Sequence, residues 1–380
     1  MISYCTNVFQ AETWEEIRKS LKTFMPKVRN ELRSIDSSLA KEFIGLGLRL
    51  SAQAAYELVT QKGEIEKFKD WLDSEAFCVE TMNGFPYGRF TGDVVKEKVF
   101  LPDWTSDERL EYTRNLFEIL VQISDASILS VSTLPGSHRF FYPDREAMFA
   151  RLEAMAIELD KLSQKQGRLC RLGLEPEPFG YFDESNGVIR FFDELRKYSK
   201  HPELVQKYLG ITYDTCHAAV MRENIEDGLN ALADNGIPLV KVQLTNALVY
   251  HQRVDSSLSE LEPFLDKVYF HQASIYRKDE LQMVHDVETL FPAILKEKPT
   301  QAEWRLHYHI PLYAQPEWPF ADTSEYISTT YRVLKQNPEW MPHLEVETYT
   351  WSVLPTHLRE SIEIQIAREL QYIHQIYEQH

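Results

Sequence analysis

The stretch Leu172-Gly173-Leu174-Glu175-Pro176-Glu177-Pro178 limits what this chain can fold into more than any other. An apolar run ends abruptly in two carboxylates set between prolines. Pro176 and Pro178 carry no backbone N–H for a sheet ladder, so a strand reaching this point stops and leaves Glu175 and Glu177 at its carboxyl end. Acids at the mouth of a buried strand are costly unless a cation or hydrogen bonds satisfy them. The stretch therefore reads as one wall of a metal site, and other strands are expected to end in the same way.

The rest of the chain repeats the pattern. Strand-like runs fall at 2–8, 43–50 (FIGLGLRL), 77–83 (FCVETMN), 127–133 (SILSVST), 169–178, 210–217 (GITYDTCH) and 239–246 (LVKVQLTN), with helix-periodic segments between them. Beyond residue 250 the spacing changes. Arms at 268–274 and 282–284 flank a turn at Tyr276-Arg277-Lys278-Asp279, WRLHYHIP (304–311) is a further strand, and LEVETYTW (344–351) is the last. Alternation of strand and helix predicts a mainly parallel sheet. The best architecture is α/β, a single (β/α)8 barrel domain over residues 1–380, with an insertion at about 250–320 before the last strand and a terminal helix over 357–378 covering the barrel. An open doubly wound sheet is the rival, but no Gly-x-Gly-x-x-Gly follows the first strand.

In a barrel of this kind the site lies at the carboxyl ends of the strands. The polar residues there are Asn7, Arg49, Glu80 and Asn83, Glu175 and Glu177, Asp214 and His217, Gln243 and Asn246, His307 and His309, and Glu345 and Glu347. The pairs 175/177, 307/309 and 345/347 are spaced two apart, which puts both side chains of a pair on one face of a strand. Carboxylates with imidazole suit a divalent metal: Mn, Co, Fe, Zn or Mg. Glu175, Asp214 and Glu347 each close an apolar run and are the strongest ligand candidates. Glu177 reads equally as a solvated loop acid, His307 as a hydrogen-bonded core histidine, and Glu345 as the partner of Arg305 in a buried ion pair. Arg49 reads equally as a salt-bridge partner of the acids, and His271 and His285 read as surface or loop residues. Cys216 beside His217 invites a thiol nucleophile, but neighbours on a strand face opposite sides. The aromatic loop at 84–90 and Trp351 outline an apolar-lined pocket mouth.

Charge narrows the partners. Asp plus Glu number 58 against 41 Lys plus Arg, a net charge of −17. That disfavours nucleic acid and anionic membrane surfaces and fits a small-molecule metabolite; a homo-oligomer is left open. No run approaches the length of a membrane span, and the N-terminus has no basic region followed by an apolar core. The four cysteines form no CxxC pair and read as buried free thiols. A cytoplasmic protein without membrane insertion is expected.

These residues resemble the xylose-isomerase-like TIM barrels, the group of sugar isomerases, ketose 3-epimerases and endonuclease-IV-type proteins. In the epimerase branch a glutamate ends the fifth strand, as Glu175 does in LGLEPEP, and an aspartate followed three residues later by histidine ends the sixth, as Asp214 and His217 do. A glutamate ends the eighth, as Glu347 does in LEVETYTW. The branch places a histidine on the seventh strand where this chain has Gln243, and His309 or His307 is the candidate replacement. More closely, YCTNV, FCVETMNGFPYG, LEPEP, YDTCHAAV, EWRLHYHIPLY and LEVETYTWSVLP resemble the bacterial EboE family of metabolite-traffic proteins, although that family often has a histidine where this chain has Phe9. The resemblance implies a divalent-metal isomerase or epimerase acting on a small metabolite in an ebo-type processing or transport pathway. Metal would sit on Glu175, Asp214, Glu347 and either Gln243 or His309. Glu175 and Glu347 would act as acid and base, with His217 at the substrate hydroxyls. Asn7, Arg49, Asn83, Glu177, Asn246, His307 and Trp351 would line the substrate pocket. The alternatives are a barrel that binds or passes on a metabolite without turnover, and a metal-dependent phosphodiesterase of endonuclease-IV type.

Overall fold

The computed structural model describes residues 1–9, 11–39, 44–88, 96–256, 258–264, 271–294, 300–350 and 360–379. Seven short strands come first: β1 (Ile2–Cys5), β2 (Ile44–Arg49), β3 (Phe77–Asn83), β4 (Ile128–Thr133), β5 (Leu169–Leu174), β6 (Leu209–Asp214) and β7 (Leu239–Leu244). Five more form a separate sheet: β8 (Asn246–Gln252), β9 (Ala273–Arg277), β10 (Glu280–Val284), β11 (Ala302–Ile310) and β12 (Phe320–Ala321). The last, β13 (His343–Val346), returns to the first group. Strands β1 to β7 and β13 pair in parallel and close into a barrel, with β13 between β7 and β1. The fold is the (β/α)8 barrel.

Helices cover the barrel because each has one apolar stripe. The helix Trp14–Ile35 buries Trp14, Ile17, Leu21, Met25, Val28 and Leu32, spaced three and four apart. Its start is fixed by a capping box in which Thr13 accepts from the Glu16 N–H and the Glu16 carboxylate accepts from the Thr13 N–H. Asp144 caps Arg145–Gln166, and Gly167 ends that helix with φ of +65°. The terminal helix is Ile362–Gln379, and the expected start at 357 falls outside the described residues.

The second sheet lies in the chain between β7 and the helix Ser324–Gln336. Its order is β10-β9-β11-β8-β12, antiparallel throughout. The hairpin arms differ from the expected ones: β9 begins at Ala273, and the turn is the two residues Lys278 and Asp279, both at positive φ (51° and 62°). That is the left-handed pair a tight hairpin requires. Strand β11 is bulged. Between Leu306, opposite Leu248, and His309, opposite Ala247, it carries two residues more than β8. The sheet's own core includes Leu248, Tyr250, Ile275, Trp304, Leu306 and Tyr308.

The barrel interior is polar. Ser3, Thr81, Ser130, Thr212, Lys241, Gln243 and Glu345 are all buried. The interior of such a barrel is more often filled by branched apolar side chains. Here Gly47 on β2 makes the room: a Cβ at that position would sit 1.5 Å from the Glu345 carboxylate.

Candidate metal centre

β5 ends at Leu174, and the Glu175 N–H still reaches the Thr133 carbonyl at 2.8 Å before the prolines break the ladder. β6 ends at Asp214, which caps the short helix Thr215–Val220 by accepting from the Cys216 and His217 N–H groups. Glu347 follows β13 directly. These strand ends converge. Glu175, Asp214 and Glu347 bring carboxylate oxygens within 4.8 Å of one another, all buried. The inserted sheet lies over them. Asp214, His217 and His309 form a second group at the same spacing, Glu177, His217 and His307 a third, and Cys216, His307 and His309 a fourth.

The imidazoles are oriented by their Nδ1 atoms. His217 Nδ1–H donates to the Pro176 carbonyl at 2.8 Å, and His309 Nδ1–H to the Glu347 carbonyl at 2.7 Å. His307 Nδ1 lies 2.6 Å from Gln272 Oε1. The Gln272 amide is fixed because its Nε2 donates to Glu177 and to the Pro178 carbonyl. Its Oε1 is therefore an acceptor, and His307 Nδ1 is the donor. Each ring thus turns Nε2 inward, the arrangement in which a carbonyl or carboxamide oxygen orients a metal-binding histidine. Burial holds His307 well below the usual imidazole range and His309 down to about 4, so both are neutral.

Two buried atoms fit a cation. Asp214 Oδ2 and His309 Nε2 are 4.0 Å apart, and neither has a hydrogen-bond partner. Unsatisfied buried acceptors are costly, and a cation between them removes the cost. Burial, and then the charges of Glu347 and Asp214, push the Glu175 carboxyl well above its usual range. Burial, and then Asp214, raise Glu347 to about 8. Glu347 is held by Asn7, whose Nδ2 donates to it at 2.6 Å.

Below the acids lies a charged layer of the barrel interior. Lys241 Nζ meets Glu345 Oε1 at 2.8 Å, and both side chains have no exposure to solvent. Lys241 also donates to Asn83 Oδ1, as does Gln243 Nε2, while Asn83 Nδ2 donates to Glu345. Gln243 bridges the two levels. Its amide nitrogen belongs to this lower layer, its Oε1 has no hydrogen-bond partner, and the imidazoles beside Asp214 Oδ2 are those of His217 at 3.9 Å and His309 at 4.0 Å.

The other expected residues are distributed unevenly. Asn7 and Glu177 join the cluster, Glu177 through Gln272. Asn83 lies in the lower layer. Asn246 Nδ2 donates to the Leu312 carbonyl, within the second sheet's connection. Arg49 is buried, but its guanidinium donates to the Ala11 and Gly88 carbonyls and to Glu12, so it clamps loops instead of facing the acids. Trp351 lies outside the described residues.

Three expectations are corrected. Glu345 pairs with Lys241, and Arg305 bonds Glu303 and Tyr326 instead. His271 lies in the loop before β9 but is not at the surface: it is buried, its Nδ1–H donating to the His307 carbonyl. The sixth strand stops at Asp214, so strand alternation does not turn Cys216 away, and its sulfur lies among His307 and His309. Burial and the charge of Asp214 push its thiol well above the usual range, which disfavours a thiolate nucleophile. Lys241 and Gln272 were not singled out from sequence. The signal for Lys241 is a charged residue two before Gln243 in an otherwise apolar strand.

No family model and no curated protein matches the chain. Solved structures do. A xylose isomerase-like TIM barrel protein from Mycobacterium smegmatis, in complex with magnesium, matches with a TM-score of 0.50 and 12% identity, over 100% of this chain and 96% of that one. A xylose isomerase domain protein from Alicyclobacillus acidocaldarius has a TM-score of 0.48 and 11% identity, over 100% and 99%. The IOLI protein with a zinc atom has 0.48 and 9%, over 100% and 98%. The chain shares its TIM-barrel fold with the Mycobacterium smegmatis protein.

Proposed function

We propose that the protein is a metal-dependent isomerase or epimerase that moves a proton next to the carbonyl of a small polyhydroxylated metabolite, in a pathway of the ebo type. The observation that carries the reading is the convergence of the Glu175, Asp214 and Glu347 carboxylates, with the unpartnered Asp214 Oδ2 4.0 Å from the unpartnered His309 Nε2. Those four side chains would hold one divalent cation. The magnesium in the Mycobacterium smegmatis structure is consistent with this. When bound, the cation supplies Lewis-acid polarisation of substrate oxygens and stabilises developing negative charge.

The chain's own groups do the rest. Glu175 and Glu347 take and return the proton, one on either side of the reacting carbon. Asn7 holds Glu347 in place by its 2.6 Å hydrogen bond. The Glu347 carbonyl fixes His309 in turn. Burial of every member excludes bulk water, which strengthens each electrostatic contact.

The test is metal analysis of protein purified without chelator, with deuterium uptake next to the carbonyl across a panel of ketoses and aldoses in D2O, followed by NMR. Bound divalent metal is expected, and uptake on at least one sugar should fall by about 100-fold or more in Glu347→Gln. Metal-free wild-type protein, or Glu347→Gln with unchanged metal content and uptake, overturns the reading.

A further inference from the structure

We infer that the chain holds a second cation, on Glu177, His217 and His307, at the seam between the barrel and the inserted sheet. It is distinct from the centre on Glu175, Asp214, His309 and Glu347, and goes beyond the function proposed above.

The first argument is the contact between two imidazoles. His217 Nε2 lies 3.1 Å from His307 Nε2. Both Nδ1 atoms already donate their hydrogens, to the Pro176 carbonyl and to Gln272 Oε1. Two neutral rings arranged this way would point lone pairs at each other, so a cation has to stand between them: a proton or a metal ion.

Distance and charge favour a metal ion. Two imidazole nitrogens bound to one zinc-like ion at about 2.05 Å lie about 3.3 Å apart at the tetrahedral angle and about 2.9 Å apart at a right angle. The observed 3.1 Å falls between those separations. Glu177 supplies an oxygen within 4.8 Å of one ring nitrogen of each histidine, which a shared proton would not need. Gln272 holds Glu177 and His307 together, donating to one and accepting from the other.

The charge balance points the same way. The buried acids of the seam and the layer beneath it are Glu175, Glu177, Asp214, Glu345 and Glu347. Lys241 offsets one of these five negative charges. With all five acids ionised, as metal binding would make them, two divalent cations would neutralise the remaining four, whereas one leaves a buried net charge of minus two. Two nitrogens and one oxygen suit Zn2+, Co2+ or Fe2+ over Mg2+.

The test uses the full chain, stripped with chelator and titrated with Co2+ and Zn2+, with bound metal counted after equilibrium dialysis and folding followed by circular dichroism. Wild type is expected to hold two equivalents, and His307→Gln, Glu177→Gln and Glu175→Gln one each. One wild-type equivalent kept by His307→Gln and Glu177→Gln but lost in Glu175→Gln overturns the inference and leaves the proposed function standing. One equivalent lost in His307→Gln and kept in Glu175→Gln supports the inference and overturns the proposed centre. No bound metal overturns both. A readout that needs no variant is the proton NMR spectrum of the Co2+ protein. Three exchangeable, strongly shifted Nδ1–H signals are expected, from His217, His307 and His309; a single one overturns the inference.

Discussion

The barrel delivers the carboxylates and His217, the inserted sheet delivers His307 and His309, and the two regions fix their polar groups by different means. Inside the barrel the fixing is ionic. Lys241 and Glu345, both without solvent exposure, hold each other and Asn83. In the inserted sheet the fixing is by neutral hydrogen bonds: Gln272 to His307, and His271 to the His307 carbonyl. An ion pair in a low-dielectric interior fails badly when one partner is removed, because the other charge is left buried alone. A neutral network loses only its hydrogen bonds. The barrel side should therefore govern folding, and the sheet side should govern occupancy and chemistry.

Lys241→Met is the harshest test of this contrast. It should destabilise the protein by about 3–5 kcal/mol in chemical denaturation, with or without added metal, since Glu345 loses its counter-charge. A loss below about 1 kcal/mol would break the contrast.

Glu369 probes the join between the regions. From the terminal helix it accepts from the Leu312 N–H, Thr348 and Tyr4, tying the exit of the inserted sheet to the barrel. Burial raises its carboxyl to about 7. A raised carboxyl binds its proton more tightly in the folded chain, so its contribution is complete below the unfolded value of about 4.5 and is lost as pH rises through about 7. The loss should approach about 3 kcal/mol by pH 8. Comparing urea unfolding at pH 5 and pH 8, Glu369→Gln should remove that part of the decline; equal declines in both proteins would contradict the assignment.

Gln272→Ala should have the smallest effect on folding, about 1–2 kcal/mol. Its larger effect should be on Zn2+ affinity, weakened about 10–100-fold, because His307 and Glu177 lose the group that orients them. Isothermal titration checks this, and unchanged affinity would show that the sheet does not govern occupancy.

What could be read from sequence divides along the same line. The barrel strands and the convergence of Glu175, Asp214 and Glu347 were legible, because prolines, strand period and polar ends are local signals. The base paired with Glu345 is not legible, because the partners are 104 positions apart and nothing local distinguishes Arg305 from Lys241. The burial of His271 and the role of Gln272 are not legible because the hairpin begins later than its apolar pattern implies. The exit from β6 was read as continued strand because YDTCH has no breaker, whereas Asp214 folds over to cap a helical turn.

The bulge in β11 has a consequence for how such a centre changes over time. His307 sits on the residues that are extra relative to β8, and its N–H donates to the Gln272 carbonyl at 2.8 Å, so contact on the β9 side and not the β8 ladder sets its reach. Lengthening or shortening the bulge by one residue would re-aim the imidazoles while leaving the pairing of Ala302–Leu306 with Leu248–Gln252 in register. The barrel beneath would not notice. The fold thus carries a tuning point at which the aim of His307 and His309 could change without renegotiating the scaffold.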